Sequence, residues 1–130
     1  MIAVDTNVVV RLLTKDDNAQ YLKSLAVFRA PSIFISDTVI IETEWVLRFS
    51  YAFQPDDVCR ALTQLLGLPN LQVTSSNRIN QALQWHKSGI GFADALHLAS
   101  CQQCSILYTF DKEFVRTTKN LSSVSVQEPS

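Results

Sequence analysis

Met1-Ile2-Ala3-Val4-Asp5-Thr6-Asn7 is a short apolar run that stops abruptly at an acidic residue. A run of this length with a polar boundary is typical of a buried strand. Across residues 6–13 apolar side chains recur at helical spacing, which predicts a helix directly after the strand. The stretch Ile106-Leu107-Tyr108-Thr109-Phe110-Asp111 is a second predicted strand that ends at an acid. The sequence therefore predicts acidic side chains at the carboxyl ends of two strands.

The rest of the chain alternates short predicted strands with longer predicted helices. Further strands are predicted at 33–35, 71–73 and 124–126. Further helices are predicted at 19–28, 37–51, 55–66, from Ser75 or Ser76 to 87, and from 92 to about 104. This alternation indicates an α/β fold with a central, mostly parallel β-sheet flanked by helices. No repeat or linker interrupts it, so we predict one domain over 1–126 and a frayed tail at 127–130.

Composition restricts the class of protein. The 130 residues fit one domain, and 47% apolar residues with only 3 Gly and 4 Pro are typical of a globular chain. No apolar run approaches the roughly 20 residues that a membrane helix needs. The N-terminus has no basic region and no cleavage site, so we predict no signal peptide and a cytoplasmic location. The odd count of 3 cysteines argues against a disulfide framework.

The charge balance does not favour an extended nucleic-acid interface. Eleven basic and twelve acidic residues give a formal net charge of −1, whereas nucleic-acid binders usually carry a basic excess. Contact with phosphate must then come from a local patch or from a bound metal. Candidate backbone contacts are Arg11, Arg48, Lys87 and Arg116, although we favour a solvated surface charge as the interpretation of each.

Asp5 and Asp111 both follow a predicted strand. In an open parallel sheet, functional groups gather where strands end and the following loops begin. Each residue also has an ordinary structural explanation, because Asp before a helix is a favoured N-cap worth about 1 kcal/mol. Taken alone, neither residue distinguishes a functional site from a helix cap.

Asp94 lies in the first turn of the helix predicted from residue 92. An acid there interacts favourably with the helix dipole, by about 0.3–1 kcal/mol. Most of its helical neighbours are apolar, which is an unusual setting for a carboxylate. His97, three residues later, could pair with Asp94 or be a satisfied core histidine, and we favour the core interpretation.

Glu42, unlike the three aspartates, has no ordinary structural explanation such as a helix cap or a helix-dipole interaction. The side chains at helical spacing around it are Thr38, Val39, Trp45 and Val46. An ionised carboxylate on an apolar face is costly unless a charge partner or a metal satisfies it. Glu44, in contrast, has Arg48 four residues later, in the favourable orientation for a surface pair. Of the two glutamates, Glu42 is therefore the stronger candidate for a metal ligand.

Together the chain offers four candidate carboxylates on separate elements: Asp5, Glu42, Asp94 and Asp111. Hard cations such as Mg²⁺ take oxygen ligands of this kind. Such an ion polarises a phosphoryl oxygen and supplies hydroxide for attack on it. The sequence has no Gly-rich phosphate loop, and neither histidine has partners for a serine or cysteine nucleophile. Metal-dependent hydrolysis of a phosphate ester is the chemistry that remains.

Four blocks of sequence carry a family resemblance. They are Val4-Asp5-Thr6-Asn7, Glu42-Thr43-Glu44-Trp45-Val46-Leu47-Arg48, Phe92-Ala93-Asp94-Ala95-Leu96-His97 and Thr109-Phe110-Asp111. With these blocks in this order, the chain resembles the PIN-domain family and is most similar to the VapC-type toxin ribonucleases of type II toxin–antitoxin systems. The resemblance covers residues 1 to about 126.

The resemblance implies a site that binds Mg²⁺, with Mn²⁺ as an alternative. Asp5 and Asp94 match the principal metal ligands of the family. Glu42 and Asp111 match residues that complete the acidic pocket, directly or through water. The implied activity is an endoribonuclease that cleaves RNA with metal-activated water.

The resemblance also implies supporting residues and partners. Thr6, Asn7 and Thr109 match positions that orient the acidic cluster by hydrogen bonds, although turn and capping roles remain open for all three. The family relationship implies a homodimer, a cognate antitoxin protein as partner, and no association with membranes.

Two alternative functions remain open from sequence. A phosphatase of the haloacid dehalogenase type also begins with a strand that ends in Asp, but it needs a second Asp two residues later, where this chain has Asn7. A non-catalytic PIN-like module that binds only RNA or protein is the other alternative. Such a module would not need Glu42 on an apolar face.

Overall fold

Five strands and seven helices alternate in the computed structural model, which describes residues 1–130. The strands are β1 (Ile2–Ala3), β2 (Ile33–Phe34), β3 (Leu71–Gln72), β4 (Ile106–Tyr108) and β5 (Ser125–Gln127). The helices are α1 (Thr6–Thr14), α2 (Asn18–Val27), α3 (Asp37–Tyr51), α4 (Pro55–Leu66), α5 (Ser76–Lys87), α6 (Phe92–Ala99) and α7 (Lys112–Thr117). Every strand pair is parallel, which confirms the predicted α/β class. None of the helices has the length and apolar character needed to cross a membrane.

The chain divides into two compact units, and the first is Met1–Ser76. Its strands lie in the order β1-β2-β3, with Ile33 of the central strand in register with both Ile2 and Leu71. Ile33 in the central strand β2 and Ile35 just after it are fully buried. Helix α1 packs against α2 and α3. This arrangement places the start of α1 and the middle of α3 in the same unit.

The second unit is Asn77–Ser130. Its strands β4 and β5 pair with Leu107 in register with Val126, and α7 packs against β5. Phe92 and Leu98 of α6 are buried in the core of this unit, as is Phe114 of α7. Both acid-bearing segments of this unit, the first turn of α6 and the end of β4, are therefore next to buried core residues.

Helices α3 and α4 have the predicted bounds, because local signals define their ends. The Ser36 hydroxyl caps α3 by accepting a hydrogen bond from the Val39 N–H at 3.3 Å. The helix ends at Ala52, which adopts the left-handed conformation. Pro55 occupies the first turn of α4, and the Asp57 carboxylate accepts from the Gln54 N–H at 2.9 Å. Caps and a proline at the first turn are signals that sequence alone contains.

Two predictions near the C-terminus were wrong, and one helix was not predicted. Helix α6 ends at Ala99 rather than near 104, so Cys101 and Cys104 lie beyond it as free cysteines. Helix α7 was not predicted, because six residues are too few for a helical period to be recognised. Gln127, expected in the frayed tail, pairs with Tyr108 as the last residue of β5.

Candidate functional site

Asp5 follows β1 directly and is the N-cap of α1. Its carboxylate oxygen Oδ1 accepts a hydrogen bond from the Thr6 N–H at 2.7 Å, and its side chain is exposed. The cap uses one carboxylate oxygen, so the second remains available to a ligand. The capping role and a ligand role are therefore compatible at this residue.

Glu42 is held from a different helix. The buried hydroxyl of Thr6 donates a hydrogen bond to Glu42 Oε1 at 2.9 Å, across 36 positions of sequence. This bond joins the middle of α3 to the first turn of α1, one residue after Asp5. The first unit thus brings the segments of Asp5 and Glu42 together at the carboxyl end of β1.

The premise that a carboxylate at Glu42 would be costly on an apolar face was wrong, because this face of α3 is exposed to solvent. Glu42 is exposed, and so are Thr38, Trp45 and Phe49 on the same face of α3. The buried residues of the helix are Val39, Ile40, Thr43, Glu44 and Leu47. The apolar side chains of α3 occupy more than one face, so the sequence does not specify which face packs inward.

The prediction of a surface pair for Glu44 was also wrong. Glu44 is only 2% exposed, although Arg48 is its partner as expected. The Arg48 guanidinium donates from Nε to Glu44 Oε2 at 2.8 Å and from Nη2 to Oε1 at 3.4 Å. A buried carboxylate needs such a charge partner, because its desolvation would otherwise be very costly. The pair therefore has a structural role.

Asp94 and Asp111 form the acidic pair of the second unit. Asp94 is half-buried in the first turn of α6, and Asp111 is an exposed N-cap of α7 whose Oδ1 accepts from the Phe114 N–H at 3.1 Å. Burial raises the pKa of Asp94, and the negative charge of Asp111 raises it further, while His97 acts in the opposite direction. A bound cation would relieve the electrostatic penalty that the charge of Asp111 places on ionisation of Asp94.

The predicted supporting residues differ in what they do. Thr6 holds Glu42, as described above, and Thr109 Oγ1 accepts a hydrogen bond from the Asp111 N–H at 3.0 Å. Asn7 is exposed on the first turn of α1, and no hydrogen bond joins its side chain to either carboxylate. Thr6 and Thr109 thus each contact one member of an acidic pair.

His97 is not the core histidine that we expected. It is exposed on α6, where its charge can act on Asp94 one turn earlier. The buried histidine of this unit is His86, whose Nδ1 lies 2.7 Å from the Ile90 carbonyl oxygen. The i, i+3 spacing of Asp94 and His97 was the sequence signal for their electrostatic interaction.

Three of the four basic residues considered as phosphate contacts form ion pairs with other acids. Arg11 pairs with Asp16 at 2.9 Å, Arg48 with Glu44, and Arg116 with Glu113. Lys87 is exposed at the end of α5. In contrast, none of the four candidate carboxylates forms an ion pair with lysine or arginine.

The donor set of each unit consists of carboxylate oxygens. Neither unit by itself contains a group of three or more His, Cys, Asp or Glu side chains that could hold a metal ion. Each unit contributes a pair of carboxylates, in which one member caps a helix and the other lies within a helix. Oxygen-only ligands of this type suit Mg²⁺ or Mn²⁺ better than softer metals.

Comparisons with known proteins identify what the chain is similar to. A family model described as "PIN domain" matches residues 2–120. No curated protein matches the sequence. The solved structure of VapC20 from Mycobacterium tuberculosis, a sarcin–ricin-loop-cleaving toxin, is 22% identical, with 88% of this chain and 92% of that chain covered and a TM-score of 0.46. VapBC2 from Rickettsia felis, bound to a DNA fragment from its promoter, is 17% identical, with 98% of both chains covered and a TM-score of 0.40.

Proposed function

Because the chain belongs to the PIN domain family, we propose that it is a Mg²⁺-dependent endoribonuclease. The proposed metal-binding residues are Asp5 and Asp94 as principal ligands, with Glu42 and Asp111 acting directly or through water. The family relationship, rather than any distance, is the reason for assigning the two acidic pairs to one reaction. The match of the family model to residues 2–120 argues against the haloacid dehalogenase alternative.

One observation carries the proposal. The four carboxylates are free of ion pairs with lysine or arginine, whereas Asp16, Glu44, Asp57 and Glu113 each have an arginine partner. The chain therefore has arginines that neutralise acids, and none of them serves these four. Carboxylates that a protein leaves without cationic partners are suitable ligands for a divalent cation.

The chain's own residues position the proposed ligands. The Thr6 N–H holds Oδ1 of Asp5 and the Thr6 hydroxyl holds Oε1 of Glu42, so one residue orients both carboxylates of the first unit. The Phe114 N–H donates to the Asp111 carboxylate, and the Thr109 hydroxyl accepts from the backbone N–H of Asp111. A divalent cation, when bound, would activate water and stabilise charge on the phosphoryl oxygens and the leaving oxygen.

Cleavage of RNA is expected to require Mg²⁺ or Mn²⁺ and to stop when a chelator is added. Attack by water on the phosphodiester leaves a 5′-phosphate and a 3′-hydroxyl, which end-labelling of the products distinguishes from other termini. Restoration of cleavage by excess Mg²⁺ after chelation is the control. A 2′,3′-cyclic phosphate would identify the 2′-hydroxyl as nucleophile and contradict the proposed reaction.

We further propose that the chain is the toxin of a toxin–antitoxin pair, acting in the cytoplasm as a homodimer that binds a cognate antitoxin. This proposal rests on the four sequence blocks that resemble VapC-type toxins. Light scattering at micromolar concentration is expected to give the mass of a dimer. A monomer under these conditions, with and without RNA, would contradict the homodimer.

A further inference from the structure

Two exposed aromatic side chains lie beside Glu42 on α3. Trp45 follows Glu42 by three residues and Phe49 follows Trp45 by four, so all three share one face of the helix. Trp45 is 53% exposed and Phe49 is 62% exposed. Their ring centroids lie 4.7 Å apart with an interplanar angle of 44°. These rings contact each other but leave much of their surface open to solvent.

A guanidinium group extends this aromatic pair. The Arg48 Cζ atom lies 4.6 Å from the centroid of the Phe49 ring. Its bonds to the buried Glu44 carboxylate hold the group in place. The exposed face of α3 thus presents two aromatic rings and a planar cation within about two turns of a proposed metal ligand. Flat aromatic and guanidinium surfaces are what unpaired nucleobases stack on.

The second unit also has an exposed aromatic side chain next to a proposed metal ligand. Phe110, which directly precedes Asp111, is 80% exposed. The other exposed large apolar residues of the second unit are Ile106 and Tyr108, both on β4. In both units, then, an exposed aromatic side chain lies within three residues of a proposed metal ligand.

We propose that Trp45 and Phe49, with Arg48, form a stacking platform for unpaired bases of single-stranded RNA. The inference rests on the proposed function, because Trp45 lies one turn from Glu42 and RNA bound at Glu42 would therefore be close to this face. An apolar protein segment would fit this face less well, since Glu42 and Arg48 place an acid and a cation on it. Bases held in a duplex are already stacked and cannot use the platform. The substrate predicted is therefore a single-stranded region or loop.

Tryptophan fluorescence provides a direct test, because the chain has only two tryptophans and Trp85 is buried at 8% exposure. An unstructured oligoribonucleotide, titrated into the protein with chelator present to prevent cleavage, is expected to quench the emission. The Trp85→Phe variant should retain this quenching. An RNA duplex of equal length should quench the emission only slightly.

Affinity measured with fluorescently labelled oligoribonucleotide tests the same platform without relying on the tryptophan signal. The Trp45→Ala variant is expected to raise Kd by about 5- to 100-fold, which is the range for loss of one stacked base. The Phe49→Ala variant should also raise Kd. Leu22→Ala, which removes an exposed apolar side chain from α2 of the same unit, is the matched control and should leave Kd unchanged. Circular dichroism confirms that each variant is folded.

The outcomes separate this inference from the proposed function. If the parent cleaves RNA while Trp45→Ala has unchanged Kd and KM, the platform is wrong and the nuclease assignment stands. If Trp45→Ala weakens RNA binding but the parent never cleaves with Mg²⁺, the platform stands and the nuclease assignment fails. If Trp45→Ala alters the oligomeric mass but not the RNA affinity, the face is a protein contact and the platform is overturned. Absence of quenching in the parent at saturating RNA also overturns it.

Discussion

The Asp94→Asn variant is expected to lose at least about 100-fold in RNA cleavage rate, because a metal ligand contributes several kcal/mol to the reaction. Asparagine keeps the size of the side chain and one acceptor oxygen but removes the negative charge. Initial rates at saturating Mg²⁺ and saturating RNA provide the measurement. Cleavage at the parent rate would exclude Asp94 as a ligand.

The same variant is expected to be more stable than the parent at neutral pH. Burial and the neighbouring Asp111 raise the pKa of Asp94 in the folded state, so ionisation of Asp94 destabilises the fold above its ordinary pKa. Asparagine avoids this penalty. The gain in stability of Asp94→Asn should be fully present at pH 7. It should shrink as the pH falls toward about 3.8, because below that pH the folded and unfolded parent chains both hold the proton on Asp94. Thermal melts in chelator at pH 7 and pH 4 measure it.

Asp56→Asn is the matched control for Asp94→Asn. Asp56 also lies in the first turn of a helix, α4, but it is exposed. Its removal should leave RNA cleavage unchanged and cost about 0.3–1 kcal/mol of stability through the lost helix-dipole interaction. The two variants should therefore shift the melting temperature in opposite directions at pH 7. A lower melting temperature for Asp94→Asn would contradict the origin assigned to its raised pKa.

Glu42→Gln and Glu44→Gln are expected to separate activity from stability on a single helix. Glu42→Gln should lose most RNA cleavage with little change in unfolding free energy, because Glu42 is exposed and glutamine keeps an acceptor for the Thr6 hydroxyl. Glu44→Gln should lose about 1.5–3 kcal/mol of stability, the usual cost of removing a hydrogen bond to a charged group. Its buried carboxylate otherwise binds the Arg48 guanidinium at 2.8 Å.

Chemical denaturation and cleavage assays on both variants test this pair of expectations. Cleavage by Glu44→Gln should be measured at saturating RNA, since loss of the carboxylate also releases Arg48 from its fixed position beside Phe49. If the Glu44→Gln protein is folded but inactive at saturating RNA, the wrong face of α3 has been assigned to the active site. A large loss of stability in Glu42→Gln would contradict its assignment as an exposed ligand.

Much of the element order is encoded locally. Ser36 and Pro55 mark the starts of α3 and α4 by capping and by fixing the first helical turn, so both helices have the bounds that the sequence predicts. The acids that follow β1 and β4 identify the strand ends as candidate functional positions. These features depend on residues close together in the chain, and a sequence contains them directly.

Which face of α3 packs against the core depends on tertiary packing. Apolar residues such as Ile40 and Leu47 lie on its buried face, while Trp45 and Phe49 lie on its exposed face. A helical period cannot choose between two faces that both carry large apolar side chains. Helices α1 and α4 pack against α3, and in the folded chain Glu44 is buried while Glu42 is exposed.

The sequence by itself determined the α/β class, the family and the four candidate carboxylates, because these depend on local patterns and on the order of short blocks. Only the tertiary structure decided the surroundings of each carboxylate. The bond from Thr6 to Glu42 spans 36 positions, and the charge of Asp111 reaches Asp94 from another element. Burial and electrostatic fields arise from residues distant in sequence, so packing of the elements sets which carboxylates are buried and which are exposed.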